Sequence, residues 1–265
     1  MHVSTFDRYQ QGTSLIHRLD PRVKVVLTLL FIVSNVLLPD GAWIAFAAAW
    51  LGLLVSNRTA HFSFSYLFKR SFIALPFALA AVTVIFTQPG EPLTSWMWGS
   101  RTITISDAGV IRFVSIVIRS WLSVQAAILL TATTQFPDMM HALRHLKVPM
   151  ILISIISFMY RYLFVLVDEA LRLLRAREAR SARLVNDGKH GGTVFWRARV
   201  TGSMAGQLFV RSFERSEKVY NAMLARGYRG QLLTMNPHIM SGRDWLFLGL
   251  GLVLIVALQL IGHVL

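Results

Sequence analysis

The chain has 265 residues and a net charge of +14, and it is 54% hydrophobic and only 15% charged, whereas soluble domains are about 25% charged. This composition indicates an integral membrane protein, and the absence of cysteine excludes disulfides and cysteine-ligated metal sites. Residues 168–243 contain 14 of the 27 lysines and arginines, a clustering that in a membrane protein indicates a cytoplasmic face and not a nucleic-acid partner.

The first predicted element is a helical hairpin. Asp20 and Pro21 predict a helix start, because aspartate caps free backbone N–H groups and proline lacks only an N–H that has no helical partner there. Two apolar runs follow, Val25–Leu38 and Ala42–Val55, and Pro39–Gly41 between them is typical of a turn. Each run is about 21 Å long as a helix, short of the ~30 Å hydrocarbon core. Flanking residues must therefore complete both spans.

Three more apolar runs predict further spans: Ser71–Thr87, Phe113–Thr134 and Trp245–Val264. Arg119 is expected near the outer end of its span. The stretch Gln88–Gly109 is rich in Pro, Gly and Trp and has little net charge. We interpret this stretch as an external, interfacial loop.

Charge parity predicts the topology. The basic N-terminus is expected inside, and four spans return the chain to the inside at Gln135. The basic region after it must also be inside, so the apolar run Val148–Val167 is predicted to lie at the inner interface without crossing. The result is an all-α, polytopic membrane protein with five spans. Its predicted divisions are N-terminal transmembrane helices (1–134), a cytoplasmic or interfacial region (135–243) and a C-terminal transmembrane helix (244–265).

The basic region predicts two long amphipathic helices. Between Met204 and Gly227, apolar residues recur at helical spacing and cations lie broadly on the opposite side. In the preceding helix, Leu166, Leu173 and Arg180 are seven residues apart and share one face within about 20°. An arginine that closes an apolar stripe is unusual in a helix that enters a core. An arginine at this position favours a helix end that binds a pocket of another protein, where a carboxylate would pair with the guanidinium.

Each of these helices ends near an arginine between two small residues, in the triplets Ala179, Arg180, Ser181 and Ala225, Arg226, Gly227. Small neighbours leave the guanidinium free for bidentate pairing with a carboxylate. Two similar tips on one chain suit a partner with two equivalent pockets, such as a symmetric dimer. The alternative is a pair of ordinary basic amphipathic helices on anionic lipid, and periodicity and charge alone do not separate the two interpretations.

The same two helices carry more apolar surface than a crossing between them needs: Phe158, Val165 and Leu173 on the first, and Phe209, Phe213 and Tyr220 on the second. We expect the remainder to contact the membrane or a partner protein. Gly202 and Gly206, one turn apart at the start of the second helix, would allow another backbone to approach closely at a helix crossing. This spacing is common by chance.

No sequence feature assembles a catalytic centre. The chain lacks a GxxxxGK[ST] phosphate loop, so it is not expected to bind ATP by itself. His141 and His145 lie one helical turn apart, but no third ligand completes a metal site, and surface histidines are the favoured interpretation. Asp168 and Glu169 beside Arg172 predict ion pairs along the helix. A membrane enzyme or a self-sufficient carrier or channel would need polar groups within the spans, which show almost none.

Three stretches make the chain resemble the transmembrane T component of energy-coupling-factor (ECF) transporters, in the form found in cobalt and nickel systems. Ser14–Lys24 is similar to the N-terminal signature of that family. Arg161–Ser181 is similar to the helix leading to its first Ala-Arg-Gly motif, and Arg211–Gly230 to the helix ending in the second. These stretches follow the expected order, and the last is the most specific. Ser181 stands where the family usually has glycine.

The resemblance implies a non-catalytic scaffold subunit of an ATP-driven importer in the plasma (bacterial inner) membrane. Two coupling helices would cross on the cytoplasmic side, and each tip would enter a groove of one of two ABC ATPase subunits, where its arginine pairs with an acidic residue. ATP and Mg²⁺ would be bound by these partners, and this chain would hold no cofactor. Closure of the ATPases would move a substrate-binding membrane subunit (the S subunit), expected to dock on the apolar faces. That subunit would release cobalt, nickel or a vitamin inward.

Overall fold

The computed structural model describes residues 9–74, 76, 80–90, 92–98, 101–180, 193–230 and 240–264. These residues are mainly helical, which confirms the all-α class. The chain divides into two compact units. Unit 1 consists of Met1–His145 and Asn236–Leu265, and unit 2 is the intervening Leu146–Met235.

The described helices and strands are, in chain order, α1 (Leu15–Arg18), α2 (Pro21–Leu37), α3 (Trp43–Thr59), α4 (Phe64–Ser71), α5 (Thr83–Thr87), β1 (Pro92–Trp98), β2 (Arg101–Ser106), α6 (Asp107–Thr133), α7 (Phe136–His145), α8 (Met150–Arg180), α9 (Val194–Ala225) and α10 (Gly242–Val264). Unit 2 contains α8 and α9, and unit 1 contains the others.

The predicted N-terminal hairpin is present in unit 1. Helix α2 begins at Pro21, and the side chain of Asp20 accepts a hydrogen bond from the backbone N–H of Arg22 at 2.8 Å. After α2 the chain turns through Gly41, whose positive φ of 83° is a conformation that glycine adopts without steric cost. Helix α3 then begins at Trp43. The helix start predicted from Asp20 and Pro21 and the turn predicted at Pro39–Gly41 are therefore both confirmed.

Helices α2, α3, α6 and α10 enclose the core of unit 1. Phe46 and Leu122 are at most 3% exposed, and small residues such as Ala49 and Ala126 complete the cluster. Helix α10 lies so close that a Cβ at Gly262 would overlap the Leu38 side chain. Close approach through small residues is how transmembrane helices gain packing energy without a hydrophobic driving force between them.

The apolar run Ser71–Thr87 does not form one helix. Helix α4 ends at Ser71, a 3₁₀ turn covers Phe72–Ala74, Pro76 and Ala80 are again helical, and after a turn at residues 81–82 the short helix α5 covers Thr83–Thr87. Pro76 lies within the run, and proline both lacks a backbone N–H and clashes with the preceding helical turn. The described residues of this run therefore do not form one uninterrupted helix, and the prediction that the run crosses the membrane is not tested.

The stretch interpreted as an irregular loop contains a β-hairpin. Strands β1 and β2 pair antiparallel from Pro92 opposite Ser106 to Trp98 opposite Arg101, with a register shift between Pro92 and Thr94. Alternating Thr and Ile in β2 favour a strand, a signal that the surrounding Pro and Gly residues obscured. Ser106 then caps α6, so this helix begins six residues before the predicted Phe113.

Three described helices, α6, α8 and α10, are long and apolar enough to cross a membrane. Helix α10 matches the predicted final span closely. Helices α2 and α3 each have 17 residues, about 25 Å of helix, and need flanking residues to complete a span. Because α8 satisfies the length and composition of a span, the prediction that its apolar half does not cross rests on charge parity alone.

We expect Gly109→Ala to destabilise the protein by about 1–3 kcal/mol, the usual range for overpacking. A Cβ at Gly109 would lie 2.7 Å from the backbone oxygen of Ile85, and backbone yields less readily than a side-chain end. The matched control is Gly202→Ala, where no described atom lies within 4 Å of the added carbon and helix propensity gains up to about 1 kcal/mol. Thermal unfolding in detergent measures both changes, and equal melting temperatures for the two variants would contradict the packing.

Candidate coupling surface

Helices α8 and α9 of unit 2 run antiparallel. Arg177 on α8 donates a hydrogen bond to Thr201 near the start of α9, at 3.3 Å. Farther back along α8, Glu169 accepts from Arg211 at 2.9 Å. Near the beginning of α8, the ring of Phe158 lies 6.3 Å from that of Tyr228, beyond the end of α9. As the residue numbers of the contacts decrease along α8, those of their partners on α9 increase. The C-terminal ends of the two helices therefore point in opposite directions.

The motif arginines occupy those two tips. Arg180 is the last described residue of α8, and Arg226 is the C-cap of α9. Both residues are exposed. Since Tyr228 lies beside Phe158, more than 20 residues of α8 separate the two tips, or roughly 30–40 Å. Arg226 lies at a helix end, whereas the residues that follow Arg180 lie outside the described ones, and the pairing of either arginine with a partner is not tested.

The second triplet, Ala225–Gly227, also forms the C-terminal cap of α9. The N–H of Gly227 donates to the carbonyl of Leu224, and the N–H of Tyr228 donates to that of Met223, each at 3.0 Å. This is the Schellman arrangement, which needs a left-handed residue after the C-cap, and Gly227 has φ of 79°. Glycine thus ends the helix and leaves Arg226 at its tip, beside Ala225. In the first triplet Ala179 is exposed at the end of α8, whereas Ser181 lies outside the described residues.

The six predicted docking residues divide into two environments. On α9, Phe209, Phe213 and Tyr220 are 71%, 59% and 52% exposed. On α8, Phe158, Val165 and Leu173 are half-buried. Phe158 and Val165 line an apolar cavity of about 450 Å³ between α8 and α9, so these two side chains face α9. The α9 set is the one left open, and we call Phe209, Phe213 and Tyr220 the exposed aromatic face.

The small-residue pair at the start of α9 has no close neighbour. A Cβ added at Gly202 or Gly206 would meet no described atom within 4 Å. The described residues bring no close neighbour to these glycines, and the predicted role of Gly202 and Gly206 at a helix crossing is not tested. The two helices are joined instead by longer side chains.

An ion triad joins the middle of α8 to α9. Glu169 accepts from Arg172 on its own helix at 2.7 Å and from Arg211 at 2.9 Å, and its side chain is only 15% exposed. The predicted pairing of Glu169 with Arg172 is confirmed. The link to Arg211 spans 42 residues and no local pattern indicated it. Arginine suits such a position because its planar fork holds carboxylates with fixed geometry.

A buried polar cluster in unit 1 was missed by the sequence analysis. It consists of Asp20, Lys24 and Asp244, which are 5%, 8% and 7% exposed, and we call it the anchor cluster. Lys24 donates to the carbonyls of His17 and Thr133, each at 3.1 Å. The carboxylates of Asp20 and Asp244 lie close enough to Lys24 to act on its charge.

Within the anchor cluster, Asp244 joins the start of α10 to the start of α2. The carboxylate of Asp244 accepts from the backbone N–H of Asp20 at 3.0 Å. It also accepts from the backbone N–H and the hydroxyl of Ser241, each at 2.8 Å. Asp20 and Lys24 lie within the family-like stretch Ser14–Lys24, which is the one sequence feature that pointed to them. No local pattern linked either residue to Asp244.

The histidine pair on α7 is held by an arginine. The rings of His141 and His145 lie edge to face with centroids 4.9 Å apart, and Nε2 of His141 lies 3.0 Å from the guanidinium of Arg22. Because arginine only donates, this ring nitrogen accepts and is occupied. Burial, together with Arg22 and Arg144, lowers the pKa of His145. Among the described residues no group of three or more His, Asp or Glu side chains could hold a metal ion.

The prediction that the spans contain almost no polar groups is wrong, because the transmembrane helices carry several that bond to one another. Asn35 is 2% exposed and donates to the carbonyl of Arg119 and to Ser123. Gln259 donates to the carbonyl and hydroxyl of Ser34. These bonds join one helix to another, as interhelical polar contacts in membrane proteins commonly do. They therefore bind the helices together and do not by themselves outline a path for a solute.

These features define a helical membrane protein whose second unit presents two oppositely directed arginine tips. The family model described as CbiQ, cobalt transport protein, matches residues 12–238 of this chain. The chain therefore belongs to the CbiQ family of cobalt transport proteins, within the T components of ECF transporters.

Relatives match along nearly the whole chain. The energy-coupling factor transporter transmembrane protein EcfT of Brevibacillus brevis is 27% identical over 95% of this chain and 95% of its own length. The EcfT protein of Lacticaseibacillus paracasei is 26% identical over 96% of each chain. An uncharacterized protein of Methanocaldococcus jannaschii is 27% identical over 96% of this chain and 85% of its own length. The match is thus not confined to the two arginine motifs.

Proposed function

We propose that this chain is the coupling subunit of an ATP-driven importer, with one ATPase subunit bound at Arg180 and another at Arg226. The observation that carries the proposal is the pair of exposed arginine tips at opposite ends of the antiparallel helices α8 and α9. An arginine offers a carboxylate two parallel hydrogen bonds, which fixes direction as well as position. Two such tips, roughly 30–40 Å apart, suit two copies of one partner better than one continuous site.

The ion triad suggests how motion passes between the tips. Glu169 holds Arg211 near the middle of α8, so a displacement of either tip turns its helix about a shared contact. Closure of two ATPase subunits would bring their grooves together and move both tips at once. ATP and Mg²⁺ belong to those subunits in this proposal, and this chain contributes no catalytic group.

The exposed aromatic face supplies the surface for the S subunit. Phe209, Phe213 and Tyr220 are 52–71% exposed, so each would bury roughly 100 Å² more in a tight interface, and apolar burial contributes about 25 cal/mol per Å². Three such side chains give several kcal/mol of docking energy without any directional bond. A surface of this kind permits the S subunit to stay attached while α9 moves beneath it. The transported substrate, a metal ion such as cobalt or nickel or else a vitamin, would be selected by the S subunit.

We place unit 2 on the cytoplasmic side of the bacterial inner membrane, from the density of positive charge in residues 168–243. Because the chain has no cysteine, single cysteines can report sidedness. Arg199→Cys on the exposed surface of α9 should react with a membrane-impermeant maleimide only from the cytoplasmic side, and Pro89→Cys, before β1, only from outside. Reaction of Arg199→Cys from outside in sealed cells would contradict the orientation and the coupling role with it.

Co-purification tests the proposal as a whole. The tagged chain, extracted in mild detergent from cells that also produce its candidate partners, should retain two ATPase subunits and one S subunit for each copy. ATP hydrolysis by the purified assembly should depend on the presence of this chain. Retention of no ATPase at all, with the chain itself monodisperse, would exclude the proposed function.

A further inference from the structure

The first turn of α9 exposes three apolar side chains. Val194 and Phe195 are 83% and 81% exposed, and Trp196 is 45% exposed. Thr193 caps this turn, since its side chain accepts a hydrogen bond from the backbone N–H of Trp196 at 3.3 Å. The turn is therefore held in shape while its apolar side chains remain exposed. We call Val194, Phe195 and Trp196 the apolar first turn.

The apolar first turn lies beside the Arg180 tip. Arg177 bonds to Thr201 and the helices run antiparallel, so Arg180 is level with Ala198, and Val194 lies about 6 Å farther along the axis. Val194 is seven residues before Thr201, and it therefore shares, within about 20°, the face of α9 that meets α8. It remains exposed because it extends about one turn past the last described residue of α8. Arg180 and the apolar first turn thus belong to one surface at this end of unit 2.

We propose that the apolar first turn binds the same ATPase subunit as Arg180, so that this contact is built from both helices and not from the arginine alone. This inference rests on the proposed coupling function. A stable protein interface buries about 800 Å² on each partner, far more than one arginine side chain supplies. Aromatic side chains next to an arginine are the groups that commonly dominate the binding energy of such interfaces.

The position of this turn favours a cytoplasmic protein over lipid as its occupant. The apolar run of α8 ends at Val167, and Arg180 lies about 20 Å farther along the helix. That end of α8 is strongly basic, and Arg199 adds an exposed cation one turn after Trp196. A groove that is acidic where it meets Arg180 complements this charge, and an apolar wall beside the acid would cover the aromatic side chains.

Site-specific photocrosslinking of the full chain, assembled with its candidate ATPase and S subunits, tests the contact. With p-benzoylphenylalanine in place of Phe195, irradiation should form an adduct with an ATPase subunit. The same photoreactive residue in place of Arg229, exposed beside the Arg226 tip, reports the second proposed ATPase contact. An ATPase adduct at position 229 together with only lipid or S-subunit adducts at position 195 would overturn this inference alone. Absence of an ATPase adduct at both positions would count against the proposed function itself.

Binding of purified ATPase subunit to the full chain in nanodiscs gives the size of the effect. Both variants are made in a chain that carries Arg226→Glu, so that the Arg180 tip is the contact measured. Phe195→Asp should weaken binding roughly 10–100-fold, since it removes about 100 Å² of apolar burial. Folding of α9 should be preserved, because an aspartate in the first turn of a helix is favourable.

Val210→Asp is the matched control, because it places the same charge at an apolar position of α9 that is 55% exposed and far from the first turn. It should bind the ATPase subunit as tightly as the chain with Arg226→Glu alone. Equal affinities of the Phe195→Asp and Val210→Asp variants would overturn the inference. A wild-type chain that binds no ATPase subunit would instead count against the proposed function.

Discussion

Arg226→Glu is expected to abolish ATP hydrolysis by the assembled transporter while the variant still folds and inserts in the membrane. The side chain is exposed at the C-cap of α9, so the substitution removes no described internal contact. At the interface it replaces a charge-assisted pair by repulsion between two carboxylates, which costs on the order of 2–5 kcal/mol when buried. Arg180→Glu should act in the same direction, with a smaller effect if serine at position 181 fits its groove less well.

The measurement is ATPase retention and hydrolysis rate for each variant in detergent. Lys218→Glu is the matched control, because it makes the same charge reversal on an exposed part of α9 away from the tip. It should keep both activities near the wild-type level. Full transport by the double variant Arg180→Glu, Arg226→Glu would exclude the arginine tips as the contact with the ATPases.

Phe213→Asp is expected to release the S subunit while both ATPase subunits stay bound. Phe213 is 59% exposed in the centre of the exposed aromatic face, between Phe209 and Tyr220. An aspartate there removes the apolar burial and places a charge in an interface that offers it no partner, which costs several kcal/mol. Lys218→Asp places the same carboxylate about 140° away around the helix and should leave the S subunit bound.

Pull-down of each variant against each partner distinguishes the possible outcomes. If Phe213→Asp loses the ATPases and keeps the S subunit, the two surfaces of α9 have been assigned the wrong way round. If neither partner is lost, the exposed aromatic face lies against lipid, as basic amphipathic helices on a membrane surface do.

Features that depend on a few neighbouring residues were predictable. The start of α2 follows from Asp20 and Pro21, and the end of α9 follows from Gly227, because capping and turn chemistry act within one helical turn. Helical periodicity likewise indicated α8 and α9 and predicted an arginine near the end of each. The interruption after Ser71 could have been anticipated from Pro76, but the β-hairpin was obscured by its glycine and proline neighbours.

Composition, periodicity and motifs were sufficient to predict the membrane class, the two basic helices, the arginine near the end of each and the family. The packed structure was needed to show that α8 and α9 are antiparallel, that Phe158 faces inward while Phe213 stays exposed, and that Asp244 bonds to Asp20 across 224 residues. The difference lies in the range over which each interaction acts along the chain. Propensity, periodicity and capping are short-range properties of the backbone, whereas a hydrogen bond between distant segments forms only after all the helices between them have packed.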